Sequence, residues 1–179
     1  MLYKLAICSG LLALAAIQVA AADPKPLGLG SPLTPDELKP FDIDVRRDGA
    51  GLPPGRGTVK EGEAVFAQFC AACHGAGGEH PISPSIRLTG GKGTLTTPNA
   101  VQTVGSYWPY ATTLYDYIDR AMPFNAPQSL SPDQVYAVTA YVLHLNGIVP
   151  EDATMDAASL PKVLMPNKDG FMPAYEAGK

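Results

Sequence analysis

Five residues, Cys70-Ala71-Ala72-Cys73-His74, set the terms on which this chain can fold. The spacing C-x-x-C-H is the attachment signature of a c-type haem. Both sulfurs become thioethers to the porphyrin, and the adjacent histidine reaches the iron as its proximal ligand. A chain that carries this motif has to wrap a large flat group. The rival readings, a thiol redox pair or half of a zinc site, need partners that are missing. Cys8 is the only other cysteine, and His80 and His144 complete no zinc-ligand spacing with the pair. The motif occurs once, so one covalent haem c with its iron is the expected cofactor.

The N-terminus begins with one positive charge, Lys4, and continues as an apolar run from Leu5 to Val19 that closes in Ala20-Ala21-Ala22. Residues 1–22 therefore read as a secretory signal peptide, cleaved before Asp23. The run approaches the roughly 18 residues at which a retained membrane anchor becomes the second reading. Cys8 stands too early in the run for a lipidated N-terminus. Bacterial c-type haem is joined to its cysteines outside the cytoplasm, so the expected address is the periplasm, with no membrane attachment after cleavage. What remains of the 179 residues suffices for one domain with a modest core. The formal net charge is −4, and loss of Lys4 makes it more acidic, which excludes nucleic acid as a partner.

The chain contains 18 Gly and 18 Pro, more than ordinary usage. Residues 23–57 read as an extended N-terminal arm, its prolines from Pro24 to Pro54 blocking regular helix. Residues 148–179 read as a C-terminal arm with a short turn around positions 156–160. Phe41, Ile43, Val45, Val163, Leu164, Phe171 and Tyr175 are apolar, so the arms are expected to pack on the central domain or on a partner. Between them, residues 58–147 form the expected haem domain. Thr58 and Glu61 make the capping-box pattern of a helix whose apolar face is Val65, Phe66 and Phe69. Ser131-Pro132-Asp133-Gln134 opens a second helix with Val135, Val138, Val142 and Leu145 at helical spacing, stopped by Gly147. A middle helix over 112–121 carries Leu114, Tyr117, Ile118 and Ala121 on one stripe. The fold class is all-α, with three or more helices and long loops that make sense only if they wrap something.

This order of helix, C-x-x-C-H, loops, short helix, Met-containing loop and terminal helix resembles the class I cytochrome c family. Gly62, Phe66 and Cys70 stand four apart as in that family, where the glycine lets the first helix cross close to an aromatic on the last, here Tyr141. A narrower resemblance covers most of the chain beyond the leader. Phe41-Asp-Ile-Asp-Val-Arg, Gly51-Leu-Pro-Pro-Gly, Val104-Gly-Ser-Tyr-Trp-Pro-Tyr, Arg120-Ala-Met-Pro-Phe and Leu164-Met-Pro-Asn-Lys-Asp-Gly-Phe are similar to the cytochrome subunit of bacterial sulfane and sulfite dehydrogenases. The resemblance implies a molybdopterin-containing dehydrogenase subunit as partner and a downstream cytochrome or oxidase as electron acceptor. Some versions of that subunit carry a second haem domain, and this chain has no second C-x-x-C-H.

The resemblance also implies the iron site. His74 is the proximal ligand, and Pro84 is the candidate whose carbonyl accepts from its other ring nitrogen, with Pro81 as the alternative. Met122 lies where the family places its distal methionine, and Met165 and Met172 are the alternatives. His144 reads as a helix-packing histidine, and His80 is tethered too close to the proximal side to reach round the ring. Trp108, with Tyr107 and Tyr110, either lines the haem pocket or packs in the core, and Arg87 and Lys92 are candidates to neutralise propionates. Iron closed on both sides by protein atoms leaves no substrate position, so the expected function is electron transfer. An independent soluble carrier and an open-site haem catalyst or sensor are the competing readings. No acid, base or nucleophile constellation stands out for other chemistry.

Overall fold

A computed structural model describes residues 27–172; the expected leader and the last residues, including Tyr175, lie outside the described residues. The described elements are α1 (Pro35–Leu38), β1 (Arg56–Thr58), α2 (Val59–Phe69), α3 (Ala71–His74), α4 (Ala111–Ala121), α5 (Pro132–Leu145) and β2 (Thr154–Asp156), with short 3-10 turns between them. Among the described residues no helix is long and apolar enough to cross a membrane.

Helix α5 is the centre of the molecule. Its side chains from Val135 to Ala140, then Val142 and Leu143, are buried on every side, as expected of a helix surrounded by other elements rather than lying on a surface. Ser131 accepts from the Gln134 amide while the Gln134 side chain returns to Ser131, so the capping box forms, with Pro132 in the first turn. At the other end Gly147 takes a φ of 65°, Gly147 N–H donates to His144 O at 2.8 Å and Ile148 N–H to Leu143 O at 3.0 Å. That pair of bonds closes the helix in a Schellman arrangement, which a Cβ-bearing residue adopts only under strain.

Helix α2 starts from the expected Thr58–Glu61 capping box and packs across α5. A Cβ built on Gly62 would collide with the Ala137 carbonyl and stand 2.8 Å from Tyr141 Cβ. The helices therefore touch backbone to backbone, and Phe66 packs on Tyr141 with ring centroids 5.3 Å apart. The buried stripe is Val59, Gly62 and Phe66, continued by Cys70, which packs against the core; Val65 is half-buried and Phe69 is 37% exposed. The expected face was thus rotated. Gly62 has to point at α5, and the stripe that contains it runs to Cys70 instead of Phe69. The same holds for α4, which begins at Ala111 and buries Leu114, Tyr115 and Ile118 but leaves Tyr117 half exposed.

The arms are more structured than their prolines predicted. β1 pairs antiparallel with β2, Gly57 opposite Met155, so the end of the N-terminal arm and the start of the C-terminal arm meet in one small sheet against α5. Met155, Leu160 and Met165 are buried in the main core, and Val45 and Val163 pack against it. Phe41 and Leu164, also expected to pack, are about three-quarters exposed at 74% and 76%. α1 carries a third capping box, Thr34 with Glu37.

Candidate haem-attachment site

Cys70 caps the end of α2, and the chain turns once more through α3 before Gly75 releases it with a φ of 79°. Cys73 N–H and His74 N–H both donate to Cys70 O, at 3.1 and 2.9 Å. This helical turn sets positions i, i+3 and i+4 on one face, so Cys70, Cys73 and His74 address the same side. Cys70 is half-buried and Cys73 exposed. Burial, reinforced by the neighbouring Cys73, pushes the Cys70 thiol up to about 11. Among the described residues no group of three or more His, Cys, Asp and Glu side chains converges, so the zinc reading of the motif gains no partners.

His74 Nδ1 lies 2.7 Å from Ile86 O. A carbonyl only accepts, so Nδ1 carries a proton, and the tautomer of the neutral ring is the one whose Nε2 keeps the lone pair an iron ligand requires. The acceptor is therefore Ile86, and neither Pro84 nor Pro81. Pro84 opens a 3-10 turn, Pro84–Ile86, and its carbonyl accepts from Arg87 N–H at 3.4 Å. The turn consumes the Pro84 carbonyl locally, and Ile86, at its end, has the carbonyl that faces the ring.

Met122 follows directly on α4, its N–H closing the helix on Ile118 O at 3.0 Å. It is half-buried and packs against the same core as Cys70, Ala71, Leu88 and Trp108. Met165 is committed to the core, and Met172 is exposed. His144 Nδ1 donates to Val149 O at 3.2 Å in the loop after α5, and His80 is exposed. The aromatic residues expected to cluster diverge. Trp108 meets Tyr117 of α4 edge-on at 5.7 Å, Tyr107 meets Phe171 of the C-terminal arm at 5.1 Å, and Tyr110 stands at the start of α4. Lys92 borders a shallow cavity with Ser106 and Asn167.

Two supports escaped the sequence reading. Asn146 donates through Nδ2 to Leu88 O at 3.1 Å and to Val142 O at 2.9 Å, tying the segment after Ile86 to the end of α5. Thr103 and Ser106, both buried, pin the following loop: Thr103 Oγ1 donates to Gly90 O at 2.6 Å and Ser106 Oγ to Val101 O at 2.7 Å. Asn before Gly at a helix end was the one signal available for Asn146.

The residues present fit a covalent haem: two thiols and a histidine on one helical turn, the histidine tautomer fixed by a backbone acceptor, and a half-buried methionine beyond α4. The family model for cytochrome c matches residues 59–146. A chain in the crystal structure of the sulfane dehydrogenase SoxCD from Paracoccus pantotrophus is 44% identical, over 85% of this chain and 76% of that one, with a TM-score of 0.77. The motif, the crossing of α2 on α5 and these likenesses lead to one conclusion: the chain belongs to the cytochrome c family, has the class I fold, and carries covalently bound haem c with its iron.

Proposed function

We propose that this chain is a periplasmic monohaem electron-transfer subunit. It takes electrons one at a time from a molybdopterin-containing dehydrogenase that oxidises sulfane sulfur or sulfite, and delivers them to a downstream cytochrome or oxidase. The observation that carries this reading is the 44% identity to a chain of a sulfane dehydrogenase, over 85% of this chain, far more than the haem domain at 59–146. The signal-peptide pattern of residues 1–22 supports the periplasm.

Bound haem supplies reversible one-electron chemistry. The chain's own residues would hold it: Cys70 and Cys73 would be the covalent tethers, His74 would present Nε2 while its Nδ1–H stays hydrogen-bonded to Ile86 O, and Met122 would supply a thioether to the iron. A thioether raises the reduction potential, and two protein ligands leave no site for the sulfur compound, which stays on the partner.

The test is spectroscopic and biochemical. The ferric holoprotein is expected to be low-spin with a sulfur-to-iron charge-transfer band, and Met122→Ala to lose that band and lower the potential. High-spin wild-type iron that takes azide freely overturns the closed site. The dehydrogenase is expected to co-purify and to reduce the haem when its sulfur substrate is added; a monomer that does neither is an independent carrier.

A further inference from the structure

The N-terminal arm lies exposed over the whole of residues 27–41. Its anchored part runs along α4: Asp44 pairs with Arg120 at 3.3 Å, Val45 N–H donates to Asp116 Oδ1 at 2.9 Å, and Arg47 O accepts from Thr112 Oγ1 at 3.2 Å. Increasing numbers on the arm meet decreasing numbers on the helix, so the two are antiparallel. The residues before Asp44 therefore leave α4 at its C-terminal end, the end from which Met122 follows.

Those residues carry Leu27, Leu29, Leu33, Leu38 and Phe41, exposed by 47 to 87%. α1, within the same stretch, has a complete capping box and no buried residue. Of the charged side chains within 27–41, Lys39 pairs with Asp36 at 2.7 Å and Glu37 accepts from Thr34. Phe124, two residues past Met122, is 87% exposed. Large apolar side chains left exposed along one short segment mark a contact surface.

We infer that residues 27–41, with Phe124, form an apolar docking strap for the dehydrogenase subunit, which it seats beside the Met122 end of the haem site. The inference rests on the function proposed above. The occupant follows from the extents of the two likenesses. The strap lies outside the general cytochrome c match at 59–146, whereas the 85% shared with the sulfane dehydrogenase chain cannot be reached without taking in residues on both flanks of that domain.

The test uses full-length holoprotein and the molybdopterin-containing dehydrogenase subunit, comparing wild type with Leu33→Asp/Leu38→Asp/Phe41→Asp. The triple variant is expected to weaken binding at least tenfold and to slow haem reduction by the dehydrogenase, with an unchanged haem spectrum. Wild-type binding is expected to change less than threefold as salt is raised, because the contact is apolar. Hydrogen exchange on the wild-type complex supplies a second readout, slowed over 27–41. Wild-type binding with an unaffected variant, or a strap unprotected in the complex, overturns the strap and leaves the proposed function standing. So does a variant that only converts a dimer of this chain to monomer. Wild type that neither binds nor is reduced overturns the proposed function, and the strap with it.

Discussion

A methyl group at position 62 has no space to occupy. Gly62 faces the Ala137 carbonyl and Tyr141 Cβ, both on the central helix. Gly62→Ala must push α2 off α5, and overpacking of this kind costs about 1–3 kcal/mol; we expect the upper end, read as a lower midpoint in guanidinium unfolding of the holoprotein. Tyr136 offers a pH-dependent counterpart. Its hydroxyl donates to Pro53 O at 2.9 Å, and burial, with Asp156 nearby, pushes the phenol up to about 12. Burial raises Tyr115 as well. The unfolded chain releases these protons near pH ~10, where the folded chain still holds them. Stability is therefore complete below that pH and falls as pH climbs towards 12, because the unfolded state binds fewer protons. Tyr136→Phe is expected to flatten part of that fall and to lower stability at neutral pH by about 1 kcal/mol for the lost hydrogen bond. Denaturant midpoints collected across the alkaline range measure both effects.

The elements divide by how local their causes are. Helices α2 and α5 could be read from the sequence because each start is written in four consecutive residues, Thr58 to Glu61 and Ser131 to Gln134. Thr58→Ala or Ser131→Ala is expected to cost about 1 kcal/mol in the same unfolding measurement. The buried faces were harder. Phe69 and Tyr117 fit an apolar stripe by spacing, yet the partner helix chose the neighbouring stripe, and no local pattern records which side a neighbour lies on. The strands were beyond reach, because three residues at 56–58 find their partners at 154–156 across the whole haem domain. The attachment motif was readable in full, whereas the His74 acceptor depended on which carbonyl a 3-10 turn leaves free. The joint between arm and helix was also hidden. Asp116 is buried and serves both Val45 N–H and the Arg120 guanidinium. Asp116→Ala leaves Val45 N–H without its acceptor and Arg120, itself partly exposed, with Asp44 alone, and a loss of about 1–3 kcal/mol is expected. Faster amide exchange at Val45 would mark the arm's release, and Asp116→Asn should retain part of the protection.

At the scale of the molecule, the segment that matches the family is not the whole folding unit. Met155, Leu160 and Met165, all beyond residue 146, lie in the main core, and Asn167 Nδ2 donates to Tyr107 O at 2.7 Å. A chain ended at Gly147 exposes the surface those three side chains cover, each worth about 1.5–3 kcal/mol. Its thermal midpoint is expected to drop steeply, and a holoprotein truncated there that melts like the full chain would disprove this account of the arm. The proximal hydrogen bond has a different kind of robustness. Its acceptor belongs to the main chain at Ile86, twelve residues after His74, so position 86 can drift in identity without depriving the imidazole of its partner. What evolution cannot change cheaply is the count: inserting or deleting one residue between 74 and 86 presents a different carbonyl, or none, and descendants of this sequence should vary in that loop by substitution and almost never by length.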